Sequence, residues 1–143
     1  GMGLTLYCNQ KSQKCGSYSN VQRIRYLLLK GLETYYKVCR SLDYDVLVYL
    51  ENLTKKENEV QYGIYDKKIH EKMRESQVDG FTTFIFHSDH DDVLYDFQVK
   101  SFLNTWKITQ SFMSNDLKGE DNDFFLQEIF HESIYTGSTI IFT

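Results

Sequence analysis

The chain has 143 residues, 41% of them apolar and 25% charged, with a net charge of −4. That length supports one domain with a real core and is too short for two comfortable ones. The acidic balance argues against a dedicated nucleic-acid binder, which needs clustered Lys and Arg, and no apolar run reaches the length of a membrane span.

Gly1 before Met2 is read as a scar of tag removal, so residues 2–143 form the expected domain. "MGLTLYC" invites a myristoylation reading, but Tyr7 stands where that motif wants Ser or Thr. Leu4 to Cys8 alternates and predicts a first strand. Cys8, Cys15 and Cys39 make an odd count, which argues against a disulfide framework and for a reducing cytoplasm. Cys39 falls among apolar helical positions and is expected to fill core. Cys8 and Cys15 lack the close C-x-x-C spacing of a zinc site.

Residues 9–18 are polar and predict a loop. Ser19 or Asn20 is the expected cap of the helix that follows. Val21, Ile24, Leu28, Leu32, Tyr35, Cys39 and Leu42 recur at steps of three and four along that helix. Asp43 or Asp45 is the expected cap of a second helix carrying Val46, Leu47, Leu50 and Leu53. Val60, Tyr62 and Ile64 alternate, so 60–64 is a possible extra strand, and "DKKIHEKMRES" predicts a polar helix with Ile69 and Met73 inward. "FTTFIF", 81–86, is the strongest strand pattern in the chain. Val99, Phe102, Leu103 and Trp106 mark a helix capped by Asp96, and "SNDLKGEDND" a surface loop. Phe125 to Ile134 marks a last helix, closed by Gly137 at a position that favours left-handed backbone. "STIIF" is the final strand. The expectation is an α+β domain. One small, mainly antiparallel sheet contains 4–7, 81–86 and 139–142, and three to five helices pack on one face.

Two clusters carry what chemistry there is. In "FHSDHDD", 86–92, His87, Asp89 and Asp91 alternate and would share a face of an extended chain. Aligned to a calcium hand, the stretch lacks the first ligand, the turn glycine and the acid at the twelfth place, where Gln98 stands. It is therefore expected to be a strand-end turn that binds no metal. In "SYSNVQRIR", 17–25, Ser17, Tyr18 and Ser19 supply hydroxyls ahead of a helix N-terminus, which suits an anion. Arg23 and Arg25 lie on different sides of the helix and cannot form one clamp. One of them is expected to pair with Asp89 or Asp91, with His87 close by. His70 and His131 are expected at a helix surface or core margin. No P-loop, nucleophile elbow or dinucleotide fingerprint is present.

"MGLTLY", "SYSNVQRIR", "FHSDHDDVL" and "YTGSTIIF" fall in an order that resembles a family of small uncharacterised bacterial and phage proteins. That family begins MGL-x-x-Y, carries S-Y-[ST]-x-x-x-R-x-R and HSDCDGEL, and ends in a helix and xGxxxEF. His90 replaces the family's Cys here and Asp92 its Gly. The resemblance attaches no activity and points to the same two clusters. The favoured function is a small cytoplasmic binding or interaction module. It would take an unknown protein or a small anionic ligand through Ser17, Tyr18, Ser19, Arg23 and Arg25, with no nucleic acid, membrane or cofactor. The alternative is a hydrolase- or transferase-like enzyme using His87 with Asp89 or Asp91 as base and orienter, and an arginine to hold an anionic substrate.

Overall fold

A computed structural model describes residues 3–63, 65–87 and 92–143. The chain begins with a hairpin, β1 (Gly3–Cys8) and β2 (Lys11–Ser17). Three helices follow: α1 (Tyr18–Cys39), α2 (Tyr44–Leu53) and α3 (Lys67–Glu75). Next come a single helical turn α4 (Thr82–Ile85), a short strand β3 (Asp92–Leu94) and α5 (Asp96–Thr109). Three 3-10 turns lead to α6 (Gln127–Thr136) and the last strand β4 (Ile140–Phe142). The strands form one antiparallel sheet in the order β2-β1-β4-β3. The expected α+β class is therefore correct, and the two chain ends pair at its centre, Leu6 opposite Phe142 and Tyr7 opposite Ile141.

Alternation along β1 and β4 sets the faces. Leu4, Leu6, Cys8, Ile140 and Phe142 are buried, while Tyr7 and Ile141 are exposed. Beneath them lies an aromatic core. Phe102 sits 4.8 Å from Phe81 and 4.9 Å from Phe130, and Phe84 sits 6.1 Å from Phe142, mostly edge to face. α1 buries Val21, Ile24, Leu28, Leu32 and Tyr35 as its spacing predicts, but Cys39 and Leu42 are exposed. The expectation that Cys39 fills core is therefore wrong, because the covered face of α1 ends near Tyr36. The buried Glu33 accepts from Lys37 at 3.0 Å and from Thr54 at 2.9 Å, tying α1 to the end of α2. Burial raises its pKa, but bonds from Lys37, Lys30 and Thr54 outweigh that and hold it below the usual range.

Three strand expectations need correction. "FTTFIF" is not a strand: Phe81, Phe84 and Ile85 are all buried, at the i, i+3, i+4 spacing of one helical face. A short apolar run allows both patterns, and the core here takes the helical one. The polar stretch 9–18 is not a loop but holds β2. An edge strand with one open face needs few apolar residues, and Cys15 supplies the buried side chain at a bulge. Asn9 makes the tight turn, with a left-handed φ of 56° that asparagine tolerates. Residues 60–63 belong to no strand, and Ile64 lies outside the described residues. The strand at 92–94 was not expected. The caps differ too: Ser17, not Ser19 or Asn20, accepts from the Asn20 N–H at 3.2 Å, and Tyr95 precedes α5 in place of Asp96. Gly137 has the expected left-handed φ of 71°.

Candidate functional site

Arg23 and Arg25 leave α1 in opposite directions, since two helical steps turn about 200°. Arg25 points inward and is 2% exposed. Its Nε donates to the Phe84 carbonyl at 3.0 Å and its Nη2 to the His87 carbonyl at 3.3 Å. The guanidinium also lies 5.7 Å from the centre of the Phe84 ring. The α4 turn has only one helical turn of its own, so its last carbonyls need outside donors. Arg25 supplies one to Phe84, and Tyr62 Oη donates to the Ile85 carbonyl at 2.9 Å. The His87 backbone is thereby docked against α1.

His87 has an equally local role. Its ring meets Phe142 edge-on, with centroids 5.1 Å apart. Its Nε2 donates to the carbonyl of Val93 and lies 3.2 Å from Asp92 Oδ1. The pairing pattern explains why. Thr5 and Thr143 exchange both backbone bonds, at 2.9 and 3.0 Å. Alternation then aims the backbone of Ile141 at β1, of Ile140 and Phe142 at β3, and of Val93 away from the sheet. The Val93 N–H is taken by Asp92 Oδ1 at 3.0 Å, and its carbonyl by His87. His87 and Asp92 together close this edge of the sheet. An Nε2 that donates to a carbonyl carries its proton and cannot accept another, so that nitrogen is not a base. Asp89 and Asp91, and the pairing expected of them with an arginine, lie outside the described residues.

Arg23 points outward and meets Asp116 Oδ2 at 2.6 Å. It lines an open cleft of about 670 Å³ with Ser17, Tyr18, Ser19, Gln22 and the segment Lys56–Glu59. Four of the five residues singled out from "SYSNVQRIR" are thus brought together, and Arg25 is not among them. The other half of the cleft, Lys56 to Glu59, follows the end of α2 and was not singled out from the sequence. Next to it Gln22 Oε1 accepts from the Val60 N–H at 3.4 Å, and the Gln61 N–H donates to the Leu53 carbonyl at 2.8 Å. The cleft carries both signs: Arg23 and Lys56 against Glu57 and Glu59, with Lys56 and Glu59 paired at 2.7 Å. Ser17 Oγ is engaged in capping.

A second polar centre gave no signal beyond a helical histidine. His70 is buried and accepts or donates to Tyr49 Oη at 2.9 Å and Thr82 Oγ1 at 3.1 Å. Tyr65 stacks on it at 4.4 Å and Phe86 meets it edge-on at 5.7 Å. Burial pushes its pKa below the ordinary value, and the charges of Asp66 and Asp79 offset part of that. Cys8 and Cys15 are buried thiols; desolvation pushes Cys15 up to about 12. Among the described residues no group of three or more His, Cys, Asp or Glu is placed to hold a metal ion, and no helix is long and apolar enough to cross a membrane. No family model, curated protein or solved structure matches the chain.

Proposed function

We propose that this chain is a protein-binding module and not an enzyme built on His87. One observation carries the reading: His87 Nε2 and the Arg25 guanidinium, which the catalytic alternative needs in a cleft, both donate to backbone carbonyls. They hold the sheet edge and the α4 turn in place. The polar cleft at the start of α1 supports contact with a partner carrying both charges more than capture of a small anion. Its two cations stand beside carboxylates, and a phosphate would have to displace them. Turnover of p-nitrophenyl acetate and p-nitrophenyl phosphate tests this. The expected rates equal buffer for the native chain and for His87→Gln alike. Turnover that His87→Gln abolishes would overturn the module reading in favour of the enzyme.

A further inference from the structure

The two edges of the sheet are built differently. At β3 both backbone groups of the outward residue, Val93, are taken by Asp92 and His87. At β2 the same bookkeeping gives another result. Thr5 and Tyr7 aim their backbone groups at β4, so Leu6 and Cys8 aim theirs at β2, opposite Gln13 and Lys11. Gln13 and Lys11 therefore face β1, and the N–H and C=O of Ser12 and Lys14 face outward. Both residues are exposed, and among the described residues no hydrogen bond engages these groups. β2 is seven residues long, against three for the closed edge. An edge of that length with free donors and acceptors is a template for one more strand.

We propose that the β2 edge docks an extended, acidic segment of a partner protein, which adds a fifth strand to the sheet. This deepens the binding-module reading and rests on it. Charge selects the occupant. Lys14 projects from the open face, beside Thr5 on β1, and Lys11 lies at the other end of the strand. Lys11 is 3.6 Å from Glu128 and 3.8 Å from Glu132, whereas Lys14 has no ion pair among the described residues. A carboxylate opposite Lys14 on the added strand would complete a cross-strand pair. A second copy fits less well. Antiparallel pairing of two β2 strands through their outward residues sets Ser12 opposite Lys14. The two Lys14 side chains then become diagonal neighbours on one face, roughly 7–8 Å apart, and repel.

The test is an amide shift and exchange titration of the full chain with two synthetic octapeptides, one alternating Thr and Glu, the other alternating Thr and Lys. The acidic peptide should shift and protect the Ser12 and Lys14 amides saturably and leave Val93 unchanged. The basic peptide should bind at least tenfold more weakly, and Lys14→Glu should invert that preference while the spectrum elsewhere stays native. Equal binding of both peptides, or no change at Ser12 and Lys14 with millimolar acidic peptide, would overturn the proposal. Protection that grows with protein concentration alone would assign the edge to a second copy and overturn it too. Failure of the module reading is visible separately, as turnover that depends on His87.

Discussion

Arg23 and Arg25 sit two residues apart on one helix, yet the corner around Arg25 and the cleft around Arg23 obey different physics. Arg25 is buried, and its donors reach the carbonyls of Phe84 and His87. Arg23 is partly exposed and bonds an exposed carboxylate that water would serve nearly as well. The shorter, fully charged contact is expected to contribute less to stability. What a cation stabilises depends on what its loss would leave unsatisfied.

The largest expected effect tests that contrast directly. Arg25→Met keeps the apolar stem and removes the donors to Phe84 and His87. Each buried group left unbonded costs about 1–3 kcal/mol, so the loss should reach about 3 kcal/mol. It should change little with salt, because buried contacts are poorly screened. Urea denaturation at low and high salt measures both. A loss below about 1 kcal/mol would mean that the corner is not buried as described.

His70 sharpens the same contrast by pH. Its folded pKa lies below its unfolded one, so the native state resists the proton that the unfolded chain takes up. Stability is therefore full above the unfolded value of about 6.5. It falls as the pH drops from there through the lower folded value, since the unfolded state binds more protons in that window. His70→Asn should cost about 1–3 kcal/mol at neutral pH through Tyr49 and Thr82, and it should flatten the slope below about pH 6.5. A slope that persists in the variant would place the titrating group elsewhere.

How much of this could be read from the residues divides along the same line. Helices with apolar residues at helical spacing were legible: α1, α3 and α6 carry their faces in the spacing of Val21 to Tyr35, Ile69 to Met73 and Ile129 to Ile134. Strands β2 and β3 were not: β2 has one buried side chain and β3 one, so neither carries the apolar pattern that marked β1 and β4. "FTTFIF" carries two periods at once, and only its neighbours decide between them. Arg25 does reach the His87 carbonyl, but the link expected between "SYSNVQRIR" and "FHSDHDD" ran through Asp89 or Asp91, which lie outside the described residues. That the acceptors are backbone carbonyls has no signature in side-chain types. The Lys56–Glu59 half of the cleft was invisible for a related reason: the bonds that tie the chain beside it, from the Val60 and Gln61 N–H groups, are made by the backbone.

A smaller effect belongs to the cap where the two regions meet. Ser17→Ala removes the acceptor for the Asn20 N–H at the first turn of α1. The loss should be about 1 kcal/mol, the usual value for a capping hydroxyl. Ser17→Asp should restore it, because a carboxylate accepts the same bond and favours the helix N-terminus. Thermal melts of the two variants decide this. If Asp fails to rescue, the hydroxyl has another role in the cleft.

The smallest effect concerns Arg23 itself. Its bond to Asp116 is short, at 2.6 Å, but the side chains are 39% and 60% exposed. Exposed pairs typically contribute about 0.2–1 kcal/mol, because water competes and two long side chains must be ordered. Arg23→Met and Asp116→Asn, singly and together, should therefore give a coupling energy below about 1 kcal/mol. That coupling should fade in half-molar salt, where screening is short-ranged. The comparison with Arg25→Met is then complete within one helix: a large, salt-insensitive loss on the inner side and a small, salt-sensitive one on the outer. A coupling for Arg23 and Asp116 as large as the Arg25→Met loss would break the comparison. It would mean that the cleft is closed to solvent, and a closed cleft would favour a small bound anion over the broad polar contact proposed for it.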